Sequence, residues 1–196
     1  MIISVDGLMG SGKTTLLDRL EKRGFKVFRE PVGEWKFLDK FYKNPKKYAL
    51  ALQLEILVSF TKYTFAEDIV FTERCPQVSH YVFAKMLSAK GTLTDEEMAT
   101  YKNFYDKMNL WKPDVHIFLK CPIDVCEQRL KRRSDSYTID TEYMERLEKY
   151  YSIFNKYTTS TPIKFIDASK NEDEVEEDFM NQVKDFVKDF VKDFVE

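Results

Sequence analysis

Residues 5–15 read VDGLMGSGKTT, in which Gly7, Gly12, Lys13 and Thr14 satisfy the spacing G-x-x-x-x-G-K-[ST]. Such a loop turns successive backbone N–H groups inward, and the helix N-terminus behind it adds positive potential, so the pair holds phosphate. Lys13 then reaches the β- and γ-phosphates, and the Thr14 hydroxyl is the ligand type for Mg²⁺. The pattern points to a nucleoside triphosphate and is silent about what receives a phosphoryl group. Three later strings carry the candidates. FREPVGEW supplies Glu30, a carboxylate able to take the proton of an attacking hydroxyl; a solvated surface acid is the competing reading. FTERC supplies Glu73 and Arg74, either a Mg²⁺-water contact beside a fixed guanidinium or an ordinary surface ion pair. RLKRR sets Arg129 and Arg133 one helical turn apart, suited to closing over phosphates, or to forming a solvated basic face.

These residues can act together only if the fold delivers them to one place. The short apolar runs IISVD, FKVFRE, DIVFTE, DVHIFLK and IKFIDAS read as buried parallel strands separated by helical segments, which is the α/β pattern. In a doubly wound sheet the strands' C-terminal ends open on one crevice, so Glu30, Glu73 and Arg74 should meet the phosphate loop there. A helix is expected from that loop to about Arg23. Asn44 and Pro45 read as N-cap and first residue of another, running to about Phe65. On it Ala49, Gln53, Ile56 and Phe60 fall within about 60° of one another. The Gln53 amide on that apolar stripe needs a partner, either a base edge or protein and water. Thr94 with Glu97 has capping-box spacing for a helix from Asp95 to Met108; two more are expected over Ile123–Arg133 and Thr141–Tyr157. KDFV occurs three times from Lys184 to Val195, suiting a helix packed on its own sheet, a subunit contact or a loose tail.

The bulk composition excludes several classes. The 196 residues are 43% apolar and 33% charged with net charge −2, consistent with one soluble domain and with neither nucleic acid nor membrane as a partner. No apolar run reaches 18 residues, and a core strand begins at Ile2, so the chain reads as cytoplasmic. Three cysteines (Cys75, Cys121, Cys126) and two histidines (His80, His116) fit reduced thiols and packed rings better than a disulfide framework or zinc site.

GLMGSGKTT, EPVGEW, YKNPKKYALALQ and ERC, in that order, resemble the deoxynucleoside kinases of the deoxycytidine kinase, deoxyguanosine kinase and mitochondrial-type thymidine kinase group. The resemblance implies a P-loop kinase three-layer fold, a single domain over 1–196 with a five-stranded parallel sheet. It also implies an arginine-bearing lid near 129–140 and a C-terminal helix near 171–196. The implied reaction moves the γ-phosphoryl of ATP, with Mg²⁺, to the 5′-hydroxyl of a deoxynucleoside. Glu30 matches the catalytic base, Arg74 the arginine near the 5′-oxygen, and Glu73 its metal-side neighbour beside Thr14. Trp35 lines the nucleoside site, Tyr42 holds the sugar, Gln53 pairs with the base and Phe83 stacks on it. The ATP side comprises Gly7, Gly10, Ser11, Gly12, Lys13, Thr14, Thr15, Arg129 and Arg133. A homodimer is implied as well.

Departures from the family pattern matter. Cys75 replaces the serine after the arginine. The lid segment is about two residues shorter and lacks a third arginine, for which Lys131 and Arg132 could compensate; Asp135 is the nearest acid to the lid glutamate. Phe60 and Ser79 stand where deoxycytidine-preferring members carry Arg and Asp, which points to thymidine or a broad pyrimidine range. R-E-P also occurs in thymidylate kinases, whose arginine grips a monophosphate; Arg29 would take that part. There glycines normally follow, whereas Val32 and Trp35 follow here. A GTPase switch would need Asn-Lys-x-Asp, and the nearest string, NKYT at Asn155, lacks the aspartate.

Overall fold

A computed structural model describes residues 1–132, 140–157 and 160–187. In chain order the elements are β1 (Ile2–Gly7), α1 (Lys13–Lys22), β2 (Lys26–Phe28), α2 (Leu38–Lys43), α3 (Pro45–Phe60) and β3 (Val70–Glu73). A helical run follows, composed of α4 (Pro76–Val78), a π-helical stretch Ser79–Ala84 and α5 (Lys85–Ala89). The chain continues through α6 (Asp95–Lys107), β4 (Val115–Lys120), α7 (Ile123–Arg132), α8 (Thr141–Tyr157), β5 (Ile163–Asp167) and α9 (Glu172–Val187).

All five expected strands form one parallel sheet in the order β2-β3-β1-β4-β5. Their apolar runs are continuous because helices cover both faces. On one face Phe71 meets Phe179 of α9, with Leu16, Leu17 and Leu20 of α1 buried beside them. On the other, His116 and Phe118 pack edge-on against Phe154 and Tyr151 of α8. Both histidines are buried, and all three cysteines are free.

Register explains how the strand ends converge. Val5 pairs with Glu73 and Gly7 with Leu119, so β1, β3 and β4 finish on one edge of the sheet. A side chain at Gly7 would start 2.7 Å from the Leu119 carbonyl, and one at Gly10 would start 2.5 Å from the Cys126 carbonyl. Both residues have positive φ, so the phosphate loop needs glycine there for conformation and for contact alike.

The helix signals hold locally. The Asn44 side chain accepts the Lys47 amide at 3.3 Å, and both bonds of the Thr94–Glu97 capping box are present. α3 ends at Phe60, however, short of the expected Phe65. The Ser59 and Thr61 hydroxyls donate to the Ile56 and Val58 carbonyls, drawing off last-turn acceptors. Tyr63 and Phe65 leave the helix to pack with Phe28 and Trp111. α9 is described to Val187; residues 188–196, which hold the last two KDFV units, lie outside the described residues, as do Arg133, Asp135 and most of the segment near 129–140.

Candidate active site

At the converging strand ends lies a cavity of about 340 Å³. Its floor is the phosphate loop and α1 start, with Gly10, Gly12, Lys13 and Thr14. Glu30 follows β2, while Glu73 ends β3 and Arg74 comes directly after it. Its walls are Trp35, Tyr42, Gln53 and Phe60 on one side and Ser79 and Phe83 on the other.

Arg74 organises the centre. Its backbone has φ +60°, a left-handed conformation that a residue with a bulky side chain rarely adopts, and its amide donates to the Val5 carbonyl at 3.0 Å. The turn throws the side chain back over the cavity, where the guanidinium forms an ion pair with Glu30 and sits 4.9 Å from the Phe83 ring centre. The two charged side chains are only 10% and 9% exposed. Burial pushes the Glu30 carboxyl up to about 7, against the pull of Arg74. For Arg74 burial works against the charge, but Glu30, Tyr151 and Glu73 outweigh it and hold the guanidinium ionised.

The phosphate end is equally constrained. Lys13 Nζ donates to the Leu8 and Gly7 carbonyls at 2.8 and 3.2 Å. Burial, then the neighbouring Arg74, lowers its pKa to about 8, which nearby carboxylates only partly offset. An anionic phosphate would restore its charge. The Thr14 hydroxyl donates to Glu73 Oε1 at 3.3 Å, setting two hard oxygen donors side by side at the mouth of the loop, a donor set that fits Mg²⁺.

The walls carry unmet hydrogen-bonding capacity. Gln53 Oε1, Trp35 Nε1 and Arg74 Nε are buried without a partner among the described residues. Unpaired buried polar atoms are costly, so a set of donors and acceptors lining one cavity points to a polar ligand that satisfies them. Ser79 and Phe83 sit on the π-helical stretch, a widening found mostly at functional sites.

The deoxynucleoside kinase family pattern matches residues 3–188. The chain belongs to that family. It is similar to protein 029R of Invertebrate iridescent virus 3, 35% identical over 156 residues, covering 76% of this chain and 80% of that one. Deoxyguanosine kinase of Bacillus subtilis is 30% identical over 160 residues, covering 77% and 76% of the two chains. Among solved structures, deoxyadenosine kinase from M. mycoides with products dCMP and a flexible dCDP bound superposes with TM-score 0.85. It is 26% identical, and the match covers 95% of this chain and 100% of that one.

Within this kinase, every expected nucleoside-side residue among the described ones lines the single cavity: Glu30, Trp35, Tyr42, Gln53, Phe60, Arg74, Ser79 and Phe83. Ala49, on the same expected stripe, is buried but not in its lining. Arg29 also borders the cavity, but its guanidinium is held by Asp18 and Glu21 of α1. Arg129 lies beneath the phosphate loop, where Nη1 donates to the Ala168 carbonyl at 2.9 Å and reaches Ser11 O at 3.5 Å. Ser11, Thr15 and Arg129 line a second cavity of about 260 Å³ behind the loop, separate from the nucleoside side.

Three contributors were not read from the sequence. Tyr143 of α8 lines the main cavity, and Tyr151, two turns on, donates its hydroxyl to Gly7 O at 3.1 Å beside Arg74. The spacing Tyr143, Leu147, Tyr151 was the available signal, since it aligns one helix face. Glu55 accepts the Lys36 and Phe37 amides at 3.0 Å each and so pins the segment carrying Trp35 and Tyr42 to α3. No local pattern announces that role.

Proposed function

We propose that this kinase moves the γ-phosphoryl of ATP to the 5′-hydroxyl of a deoxynucleoside in a Mg²⁺-dependent reaction, with thymidine or a broad pyrimidine range preferred. The observation that carries the reading is the buried Glu30–Arg74 pair, set in one cavity with the phosphate-loop lysine. Glu30 accepts the hydroxyl proton as the oxygen attacks phosphorus. Lys13 and Arg74 balance the charge that spreads over the equatorial phosphate oxygens. Mg²⁺, held through Thr14 and Glu73, supplies further charge neutralisation when bound. Gln53 offers a base both a donor and an acceptor, Phe83 stacks on it, and Tyr42 steadies the sugar. Arg133 and Asp135 belong to this reading as lid residues, with Arg129 on the ATP side.

Base preference rests on Phe60, a bulky side chain, 1% exposed, that lines the cavity and would crowd a purine. A second reading, purine deoxynucleosides, is favoured by the relatives' names, deoxyguanosine kinase and deoxyadenosine kinase, though the latter was solved with dCMP bound. A panel of the four deoxynucleosides plus thymidine monophosphate, with ATP consumption as readout, decides. Turnover highest with thymidine or deoxycytidine supports the pyrimidine reading, deoxyguanosine or deoxyadenosine overturns it, and activity on the monophosphate alone would replace the nucleoside with a nucleotide acceptor.

Gln53→Ala tests base recognition. Losing an amide that meets two polar atoms of the base should raise KM for the nucleoside about ten- to a hundredfold while leaving KM for ATP unchanged. An unchanged nucleoside KM removes Gln53 from the base site.

The active unit is proposed to be a cytoplasmic homodimer. Val58 on α3 and Phe104 on α6 are 52% and 48% exposed, on two helices that pack together, and a second copy would cover them. Val58→Asp should convert the dimer to monomer in sedimentation; a wild-type sedimentation profile places the interface elsewhere. Among the described residues no helix is long and apolar enough to cross a membrane.

A further inference from the structure

Two of the three cysteines stand where a helix entrance usually carries an apolar staple. The Cys126 amide donates to the Pro122 carbonyl at 3.0 Å, so Pro122 is the N-cap of α7, Cys121 precedes it and Cys126 is the fourth helical residue. Residues at those two positions meet across the first turn. Here both are sulfur: the Cys126 thiol reaches the Cys121 carbonyl at 3.8 Å and lies within hydrogen-bonding reach of the Cys121 sulfur. Arg129, two turns along, brings Nη1 to 3.5 Å from Cys121 Sγ. That same nitrogen is the one bonded to Ala168 O and reaching Ser11 O of the phosphate loop. On the opposite side the loop rests on the Cys126 backbone at Gly10.

Access does not run through the nucleoside cavity, although Gly7 and Leu8 of the phosphate loop border the route. Cys121 borders a surface cavity of about 670 Å³ walled by Lys120, Pro122, Lys149 and Asp167, whose lining does not include Lys13, Glu30 or Arg74. Cys121 is 6% exposed, whereas Cys75, just past β3, and Cys126 are completely buried.

We propose that Cys121 is a reactive thiol and Cys126 its resolving partner, a redox modification site that a hydroperoxide closes into a disulfide and that loosens the phosphate loop. The hydrogen bond from Cys126, then Arg129, draws the Cys121 thiol below the ordinary range despite its burial, whereas burial pushes Cys75 up. The chemistry balances. The Cys121 thiolate attacks one peroxide oxygen, the O–O bond breaks, and the departing oxygen leaves as hydroxide or alkoxide, giving a sulfenic acid. Cys126 sulfur then displaces hydroxide from that sulfur, and the Cys126 proton departs with it as water. Two electrons pass from the two thiols to the peroxide. Drawing the sulfurs to a bond of about 2.05 Å takes Cys121 off Arg129 and shifts the first turn of α7 against Gly10.

Residues 121–129 form one tryptic peptide holding both cysteines, and residues 75–85 hold the third. The full chain is treated with hydrogen peroxide, alkylated and digested. The expected result is a 121–129 peptide that resists alkylation and is lighter by two hydrogen atoms, with the 75–85 peptide still alkylated. Binding of a fluorescent ATP analogue should fall in parallel and return with dithiothreitol. Cys126→Ser should keep wild-type analogue binding and yield a Cys121 sulfenic acid that dimedone captures. The proposal is overturned if the 121–129 peptide stays fully alkylated, if Cys75 oxidises first, or if Cys121→Ser loses analogue binding to peroxide as fast as the parent. The peptide masses of the parent protein decide the matter even where a variant does not fold.

Discussion

Glu30→Gln is expected to lose roughly 10²–10⁴ in kcat while binding ATP as tightly as the parent, because it removes a proton acceptor and leaves the phosphate loop untouched. The amide is nearly isosteric and can still accept from Arg74, so the fold should survive. The proton of the 5′-hydroxyl then loses the acceptor paired with Arg74, and the carboxylate left in the cavity, Glu73, is engaged by Thr14. The parent's pH dependence supplies a second readout. Burial raises the Glu30 carboxyl to about 7, so the basic form is depleted as pH falls, and kcat/KM for the nucleoside should drop below about pH 7. In Glu30→Gln that acid limb should vanish. Normal turnover in the variant, or an acid limb that persists in it, takes Glu30 out of the proton transfer.

Arg74→Asn is expected to cost about 10²–10³ in kcat and to destabilise the protein in a pH-dependent way. Asparagine is chosen because it tolerates the left-handed φ of +60° at this position, so the substitution tests the guanidinium rather than the backbone. Removing one partner of a buried ion pair costs about 3–5 kcal/mol when the other charge must stay. Glu30 escapes part of that by taking a proton. Without Arg74 its carboxyl moves further above the unfolded-chain value, the native state binds more protons than the unfolded state, and stability falls as pH rises between those two values. Chemical denaturation at pH 6 and pH 8 should therefore show a larger deficit at pH 8, and the acid limb of kcat/KM should move to higher pH. A deficit that is equal at both pH values would mean that Arg74 does not set the Glu30 proton.

Much of this site was legible because its residues lie at places where local chemistry is decisive. The phosphate loop is read from contiguous residues whose glycines answer to local backbone geometry, the positive φ at Gly7, Gly10 and Gly12, while the close approach of Leu119 to Gly7 comes from packing. The strand-end positions of Glu30, Glu73 and Arg74 followed from a rule about parallel sheets, and the register of Val5 with Glu73 shows that rule at work. Gln53 was found because α3 is regular and its stripe is periodic. Where the helix stops was not found, since the local bonds of the Ser59 and Thr61 hydroxyls act together with an aromatic cluster around Trp111 that is distant in sequence.

By itself, then, the order of residues determined the phosphate loop, the five parallel strands, the helix caps and the identity of the acids and arginine that meet at the strand ends. Only the tertiary structure decided how they meet: the ion pair between Glu30 and Arg74, the turning of Arg29 onto α1, the clamp of Arg129 under the loop and the entry of Tyr143 and Tyr151 from α8. The division has a physical cause. Caps, glycine turns and strand patterning are set by energies between neighbours along the chain, whereas the pairing and protonation of buried charges depend on desolvation and on partners that only packing brings within a few ångströms.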